Sequence, residues 1–462
     1  MAPSRSVLIF IVFFGAMVTP DVQAQDDPLH LMREPATITD VADAMDGEDP
    51  FDMNVSVGYS RRVERATITR EIGGGTTDIA DYEREVQRLN LGMELGLFRD
   101  ISLSIRVPFV LSDERRLGTA DGRTRSDIDR DLCHVDSSAG TLADCDVPTT
   151  LGDDSFLFRV PTNSTTRSGI EYIAAGLNLG LMNQARDPHL ATWVLSVEGR
   201  FGVGDAMAPC VETSSGRVCG QGASSTGMNA ETAGLRIESR ASRRFRYFEP
   251  YGVLGFQIDW PTKDGAFTPT GDLSGFTNTL PPRQGEVRAG VYIIPWENRE
   301  SWQRFALDFQ FIARYVSEGH TRSPLFDALG ASSSPYLTST NLEGVPDEGN
   351  SRILREVPFM GLTDVQPHAR IGGRFGLDIL AARYVRFEFF AAVFFDTPHF
   401  ITYADACNPN ETPTDASDPR AGTCVRGIIN PHHRAALDLP GQRFRLEESL
   451  VYDIGAAVTA RF

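Results

Sequence analysis

The chain ends in the stretch YDIGAAVTARF, which covers residues 452–462 and alternates without interruption. Tyr452, Ile454, Val458 and Phe462 fall on one face together with two alanines, whereas the other face is polar or small. Successive side chains of a β-strand point to opposite faces, so this stretch has one uncharged face and one polar face. It is long enough to cross a bilayer as a tilted strand, which predicts a final membrane-spanning β-strand.

The N-terminus predicts a secretory signal peptide over residues 1–24. Arg5 supplies the positive charge, residues 7–18 form an apolar run, and residues 22–24 place small side chains at the cleavage positions. No other stretch approaches the roughly 18–20 apolar residues that a membrane helix needs. Only helices and closed barrels satisfy the backbone in lipid, so we expect the mature chain to be either a soluble periplasmic protein or a β-barrel.

The same alternation recurs along the chain and predicts twelve strands arranged as hairpins. The predicted strands are 52–59, 88–97, 101–109, 173–182, 193–203, 235–245, 252–260, 287–295, 305–315, 367–377, 385–395 and 444–462. Short turns alternate with long connections, a sorting for which a soluble fold has no reason. The predicted long connections are 71–83, 112–168, 205–231, 261–284, 317–363 and 397–442.

These patterns predict an all-β fold, an antiparallel transmembrane β-barrel over residues 51–462. An even number of strands places both termini and the short turns in the periplasm and the long loops outside. The chain carries 42 Gly, 28 Phe and a net charge of −18. The acidic balance argues against nucleic-acid binding and for a solvated outer surface.

The signal peptide, the terminal strand with its last aromatic residue and the sorted loop lengths resemble those of Gram-negative outer-membrane β-barrel proteins. The strand-and-turn texture of residues 96–100 and 183–188 also resembles outer-membrane transporters such as the phenol-degradation pathway barrels. This resemblance implies an outer-membrane location, insertion by the barrel-assembly machinery and contact with outer-membrane lipid and lipopolysaccharide. It also implies porin-like transport of small solutes, and it assigns no functional residues.

The predicted inward face of the strands is densely charged. An arginine ladder on this face would guide anionic solutes through an open channel. Alternatively, a narrow barrel filled by arginine–carboxylate networks needs the same residues and conducts nothing. The predicted pore-lining residues are Arg88, Glu94, Arg106, Glu198, Arg200, Arg236, Glu238, Arg240, Asp308, Arg314, Arg370, Arg374, Asp378, Arg386 and Glu388.

The six cysteines fall in pairs within three of the predicted outer loops. Disulfides within each loop are the simplest connectivity, and the oxidising side of the inner membrane permits them. C-x-x-C spacing is absent, so neither a metal site nor a cofactor is predicted. The predicted pairs are Cys133 with Cys145, Cys210 with Cys219, and Cys407 with Cys424.

Residues 25–50 form an acidic N-terminal segment without a clear period. The segment is either a periplasmic tether, which is the simpler interpretation, or a short plug inside the barrel. The sequence has no G-x-S-x-G, no H-E-x-x-H and no Gly-rich phosphate loop, which argues against an enzyme. His399 lies at the depth of a lipid-facing active site, but it has no assignable serine partner.

We therefore expect a channel that passes small solutes passively through a charged lumen, with disulfide-stiffened loops restricting entry. The alternative is a non-conducting barrel that is structural or binds a ligand through its extracellular loops. A lipid-acting enzyme that uses His399 is the third hypothesis.

Overall fold

The computed structural model describes most of the chain. The predicted signal peptide lies outside the described residues, as do Cys133, Cys145 and Cys424. None of the helices within the described ranges is long and apolar enough to span a membrane. The described residues are 36–46, 49–132, 156–164, 166–213, 216–219, 227–262, 266–267, 275–334, 336–337, 344–346, 352–354, 359–411 and 428–462.

Twelve long strands form one sheet in which each strand pairs antiparallel with its neighbours in chain order. The last strand pairs with both the eleventh and the first, so the sheet closes into a barrel without an edge. The predicted fold class and strand number are confirmed. The strands are β1 Met53–Ile72, β2 Gly75–Phe98, β3 Ile101–Thr119, β4 Ile173–Met182, β5 Thr192–Phe201, β6 Thr232–Ser242, β7 Phe248–Pro261, β8 Gln284–Asn298, β9 Gln303–Val316, β10 His368–Ala382, β11 Val385–Asp396 and β12 Phe444–Arg461.

Outward side chains form an apolar belt around the barrel. Trp296 and Trp302 are exposed at the end that carries the short turns, and Trp260 is exposed at the other end of its strand. A continuous exposed apolar surface bounded by aromatic residues is typical of a barrel in lipid. The exposed belt residues include Val57, Leu91, Met93, Phe109, Leu177, Val197, Ile237, Leu254, Phe256, Phe309, Phe311, Ile371, Phe375, Phe389, Val393, Ile454 and Val458.

The first three strands are longer than the sequence predicts. β1 and β2 continue to a tight turn at Gly73 and Gly74, whose φ angles are 60° and 88°, so the predicted long connection over 71–83 is wrong. In this extension the hydrophobic pattern is inverted: some charged side chains face outward and some apolar side chains face inward. Arg65 pairs with Glu83 in an exposed position, whereas Ile68 is buried. Apolar-outward alternation therefore stops at the membrane boundary, which is why it did not reveal these residues.

The other long connections fold into short elements at the outer end of the barrel. Their described residues form three short helices, α1 Arg125–Leu132, α2 Phe326–Gly330 and α3 Ala435–Asp438. Two short strands, Thr162–Asn163 and Arg167–Ile170, add to β3, and His399–Phe400 adds to β12. The small strand pairs are Cys210–Thr213 with Gly216–Cys219, Gly319–Thr321 with Thr363–Val365, Gly344–Pro346 with Arg352–Leu354, and Cys407–Asn408 with Ile428–Ile429.

These outer loops pack on one another and on the barrel wall, forming a unit that we call the cap. Its main core joins Leu132, Leu329 and Leu437 of the three helices to Ile68 of β1 and Leu117 of β3. Burying apolar side chains of this size stabilises the packed loops by about 1.5–3 kcal/mol each. The described parts of these loops are therefore a folded part of the protein.

The cap lies over the outer mouth of the barrel. Phe267, Phe326 and Met207 of the loops cluster with Val86 of β2 and Val110 of β3. Both valines are on the strand face opposite the apolar belt, so the loop residues that contact them enter the mouth. The guanidinium of the fully buried Arg167 forms an ion pair with Asp327 and donates to the Ala208 carbonyl oxygen at 2.9 Å, which ties three segments together.

Replacing Ile237 by arginine tests the position of the belt. Ile237 lies at the centre of β6 and is exposed on the outward face. An arginine on the lipid-facing side near the middle of the bilayer should lower the free energy of unfolding by roughly 2–4 kcal/mol. This is measured by urea titration of the protein folded in phospholipid vesicles. Ile237→Leu is the matched control and should change it little. Equal stability of the two variants would contradict the assignment of this face to lipid.

Candidate functional site

The inward charged residues are paired with one another. On β6 to β9, the Glu238 carboxylate accepts from Arg288 at 2.7 Å and also pairs with Arg236. Glu286 accepts from Arg314 at 2.9 Å and lies 3.0 Å from Arg288. The two carboxylates thus alternate with three guanidiniums along this part of the wall.

β10 carries a second group of pairs. Arg374 bridges Asp308 of β9, at 3.0 Å, and Glu388 of β11. Arg370 pairs with Asp396 at 2.6 Å and with Glu64 of β1 at 3.1 Å. A bidentate or bridged guanidinium is held in one orientation, so these side chains are fixed against the wall. Asp378 pairs with Arg386 at 2.6 Å.

The remaining predicted residues form a third group on β2 to β6. Glu198 accepts from Arg106 and Arg200, both at 2.9 Å. Asn178 accepts from Arg240 at 3.0 Å and donates to Glu94 at 2.9 Å. Arg88 lies 3.2 Å from Glu171.

Sequence analysis missed several partners in these networks. Glu286 and Asp396 lie one residue beyond the predicted limits of their strands, and Glu64 lies in the unpredicted extension of β1. An alternation extended by one residue at each strand end would have found the first two. The third would have required the alternation to continue five residues beyond the predicted end of β1.

These ion pairs run around the wall. They join residues of one strand or of strands one to three positions apart, the widest being Arg370 of β10 with Glu64 of β1. Opposite walls of a twelve-stranded barrel are six positions apart. The pairs described above therefore neutralise charges along the wall without connecting opposite sides.

The N-terminal segment 36–46 contacts the inward face near the end with the short turns. The Thr37 hydroxyl donates to Asp378 at 2.7 Å, and the Ala36 backbone N–H donates to Glu249 at 3.1 Å. The Thr39 hydroxyl lies 2.7 Å from that of Ser242. These partners belong to β10, β7 and β6.

Residues 36–46 also form ion pairs and apolar contacts with other strands of the barrel. The Asp40 carboxylate lies 3.6 Å from both Arg386 of β11 and Arg461 of β12. Ala36 packs into a buried cluster with Tyr251 and Tyr292, against which Ile38 also packs. Small residues and an acidic side chain therefore suit this segment to an interior lined by arginine and tyrosine.

The segment also approaches β2 closely at Gly96. A Cβ atom at this glycine would lie 2.0 Å from the Asp43 carbonyl oxygen, a distance that backbone atoms cannot tolerate. Arg186 of the β4–β5 turn pairs with Asp43 at 2.9 Å. Taken together, the contacts of residues 36–46 extend from β2 through β6 and β7 to β12, around much of the wall.

A cluster that the sequence did not predict lies in the cap. His320, Asp364 and His432 offer one ligand atom each, and these three atoms lie within 4.8 Å of one another. Burial lowers the pKa of both histidines to about 3 and raises that of Asp364 to about 6. The three residues come from distant parts of the sequence, so no local spacing reveals them.

His399 stacks on His368 with ring centroids 3.8 Å apart. Its Nδ1 lies 2.8 Å from the Thr397 carbonyl oxygen, so that nitrogen is directed at the backbone instead of a serine hydroxyl. Nothing in this geometry favours the hypothesis of a lipid-acting enzyme.

The described cysteines agree with loop disulfides in their position. Cys210 and Cys219 are directly opposite each other in an antiparallel pair, and none of the cysteines in the described ranges is free. Cys407 begins another short strand of the cap. The three disulfide pairs remain predictions.

Closed antiparallel pairing, the apolar belt and the charged inward face together decide the class of protein. The protein is an outer-membrane β-barrel. No family model matches the chain, and no curated protein matches it. In barrels of this class the end with the short turns faces the periplasm, and here residues 36–46 and Phe462 lie at that end.

Several solved barrels are similar to this chain in outline. An outer membrane channel from Pseudomonas putida F1 matches with a TM-score of 0.39 and 8% identity, over 90% of this chain and 100% of the channel. A FadL homologue from Pseudomonas aeruginosa matches with a TM-score of 0.32 and 7% identity, over 93% of both chains. At scores this low the superpositions carry no weight, and the barrel assignment rests on the strand pairing itself.

Replacing Gly96 by valine tests the seat of the N-terminal segment. The new side chain would occupy the position of the Asp43 carbonyl, so residues 36–46 should lose their protection from hydrogen exchange, measured by mass spectrometry in detergent. Gly285→Val is the control, because nothing lies within 4 Å of a Cβ atom there. Unchanged protection in Gly96→Val would show that the segment does not rest against β2.

Proposed function

We propose that this protein is an outer-membrane channel for passive passage of small solutes, in which residues 36–46 act as a plug at the periplasmic end. The cap restricts entry from outside. Among the interpretations of residues 25–50, the plug is the one that the contacts of Thr37, Asp40 and Asp43 favour.

The main support for this proposal is that the inward ion pairs described above run along the barrel wall and do not cross the lumen. In a barrel filled by its own side chains, arginines and carboxylates would meet across the axis. Among the pairs described above, the widest, Arg370 with Glu64, joins strands three positions apart. The N-terminal segment, by contrast, contacts strands around much of the barrel. In this proposal the obstruction at this end is therefore the N-terminal segment, and its displacement opens the channel.

The paired wall also bears on the kind of solute. Arg236 and Arg288 share Glu238, and Arg374 is shared by two carboxylates, so neither sign dominates over a long path. A lumen of alternating signs favours small polar solutes and gives a weaker anion preference than an arginine ladder alone would. The predicted pore-lining residues keep that role in this proposal.

The cap contributes selection by size. We propose that disulfides Cys210–Cys219, Cys407–Cys424 and Cys133–Cys145 hold the loops in shape, since the first pair is in register for a bridge. A signal peptide over residues 1–24, insertion by the barrel-assembly machinery and contact with lipopolysaccharide belong to the same proposal.

A non-conducting barrel that acts through its extracellular loops is the second candidate. It is favoured by the buried cap core, in which Phe326 and Phe267 contact inward-facing wall residues. Such a cap would present a fixed binding surface outside the cell. Electrical recording distinguishes this candidate from a channel.

Deleting residues 25–46 should open the channel. The full mature chain, refolded in detergent and placed in a planar bilayer, should be mostly silent, whereas the deletion should give steady openings. Deleting residues 25–35 alone is the matched control, because it keeps the contacts made by residues 36–46, and it should behave like the full chain. Silence of the longer deletion, in protein with heat-modifiable migration, would favour the non-conducting barrel.

Replacing Arg374 by alanine in the opened barrel should change ion selectivity. Asp308 and Glu388 then lose the guanidinium between them, so the reversal potential under a salt gradient should move towards cations. Arg61→Ala is the control, because Arg61 pairs with Glu85 on the exposed outward face. If the two variants shift the potential equally, these carboxylates do not line the path of the ions.

A further inference from the structure

We propose that His320, Asp364 and His432 bind a divalent transition-metal ion of the Zn²⁺ type, which fastens two outer loops of the cap to each other: the β9–β10 loop, which carries His320 and Asp364, and the β11–β12 loop, which carries His432. This site is independent of conduction through the barrel.

His320 and Asp364 are adjacent because of a local strand pair. Gly319–Thr321 and Thr363–Val365 run antiparallel, and these two residues are directly opposite each other in register. Opposite residues of such a pair place their side chains on the same face. The Nδ1 atom of His320 lies 2.6 Å from Asp364 Oδ1, and both side chains are buried.

His432 reaches the same point from another loop. Its backbone N–H donates to the Asn430 side chain at 3.1 Å, and Asn430 in turn donates to Thr277 at 2.7 Å. His432 Nε2 lies 3.1 Å from the Phe267 carbonyl oxygen, which makes this nitrogen the donor. The lone pair is then on Nδ1, and Nδ1 is buried without a hydrogen-bond partner.

An unpartnered buried nitrogen is the observation that points to a ligand. Metal-binding histidines commonly donate their other N–H group to a backbone carbonyl, which fixes the tautomer and the ring orientation. His432 has this arrangement through Phe267. Asn278 supports the carboxylate in a similar way, since its amide reaches Glu318 at 2.7 Å and Asp364 at 3.5 Å.

The distances suit one small ion after a limited adjustment. Ligand atoms of a tetrahedral zinc site lie about 3.3 Å apart, given metal–ligand bonds of about 2.0–2.1 Å. The three candidate atoms here lie within 4.8 Å of one another. The rings of His320 and His432 are parallel, 3.8 Å apart between centroids, so they must tilt for both in-plane lone pairs to meet one ion.

The donor set selects the class of metal. Two imidazoles and one carboxylate suit Zn²⁺ and related first-row ions, whereas Ca²⁺ and Mg²⁺ prefer oxygen ligands. The positive charges of Arg322 and Arg434 are close enough to His320 to disfavour a bound cation. The negative charges of Glu318 and Asp405 near Asp364 act in the opposite direction. Three protein ligands leave a fourth position for water.

Calorimetric titration of the refolded mature barrel, freed of metal by a chelator, tests the site. We expect one ZnCl₂ per chain and no comparable heat with MgCl₂. His432→Ala and Asp364→Asn should each weaken Zn²⁺ binding at least tenfold. Asp364→Asn preserves the shape of the side chain, so it remains informative if His432→Ala fails to fold.

His399→Ala is the matched control, because His399 belongs to the second stacked histidine pair, with His368. This variant should bind Zn²⁺ like the unmodified chain. The proposal is overturned if the unmodified chain takes up no Zn²⁺, if His432→Ala and Asp364→Asn leave the affinity unchanged, or if His399→Ala weakens it equally. X-ray absorption at the zinc edge should show imidazole scattering, and sulfur ligands there would also overturn the proposal.

Discussion

The hydrogen-bonded seam between β12 and β1 is the contact on which the rest of the structure depends. In lipid, unpaired backbone groups are too costly, so the sheet must close. Closure sends alternate side chains outward to the bilayer and inward to a shared interior. Phe309 and Ile237 therefore belong to the belt, and Arg374 and Asp308 must find partners inside.

Pairing along the wall decides how the interior is used. Arg370 and Arg374 donate to carboxylates on nearby strands, so these two side chains find partners without reaching across the lumen. Residues 36–46 then lie against the inward face as a strip that includes three alanines, held by Asp40 and Thr37. At the outer end the same requirement is met differently, because apolar loop residues pack on inward-facing valines. The two ends of the interior are thus in contact with chemically different units.

The alternation of apolar and polar residues along the sequence was enough to predict most of the barrel strands. Every predicted strand has its counterpart, because lipid on one side and polar neighbours on the other enforce period-two alternation. The extension of β1 and β2 escaped, since Ile68 packs inward there and Arg65 faces water. The contacts of the N-terminal segment and the histidine cluster could not be predicted for a different reason. Thr37 and Asp378 are 341 residues apart, and nothing local encodes such a contact.

The position of residues 36–46 inside the barrel is tested most directly by photo-crosslinking. A benzophenone amino acid in place of Ile38, irradiated in intact cells, should form an intramolecular cross-link. Peptide mapping should place it on β7 or β8, where Ile38 packs near Tyr251 and Tyr292. Cross-links to other periplasmic proteins, with none to the barrel interior, would contradict the account and show that the segment lies outside the lumen.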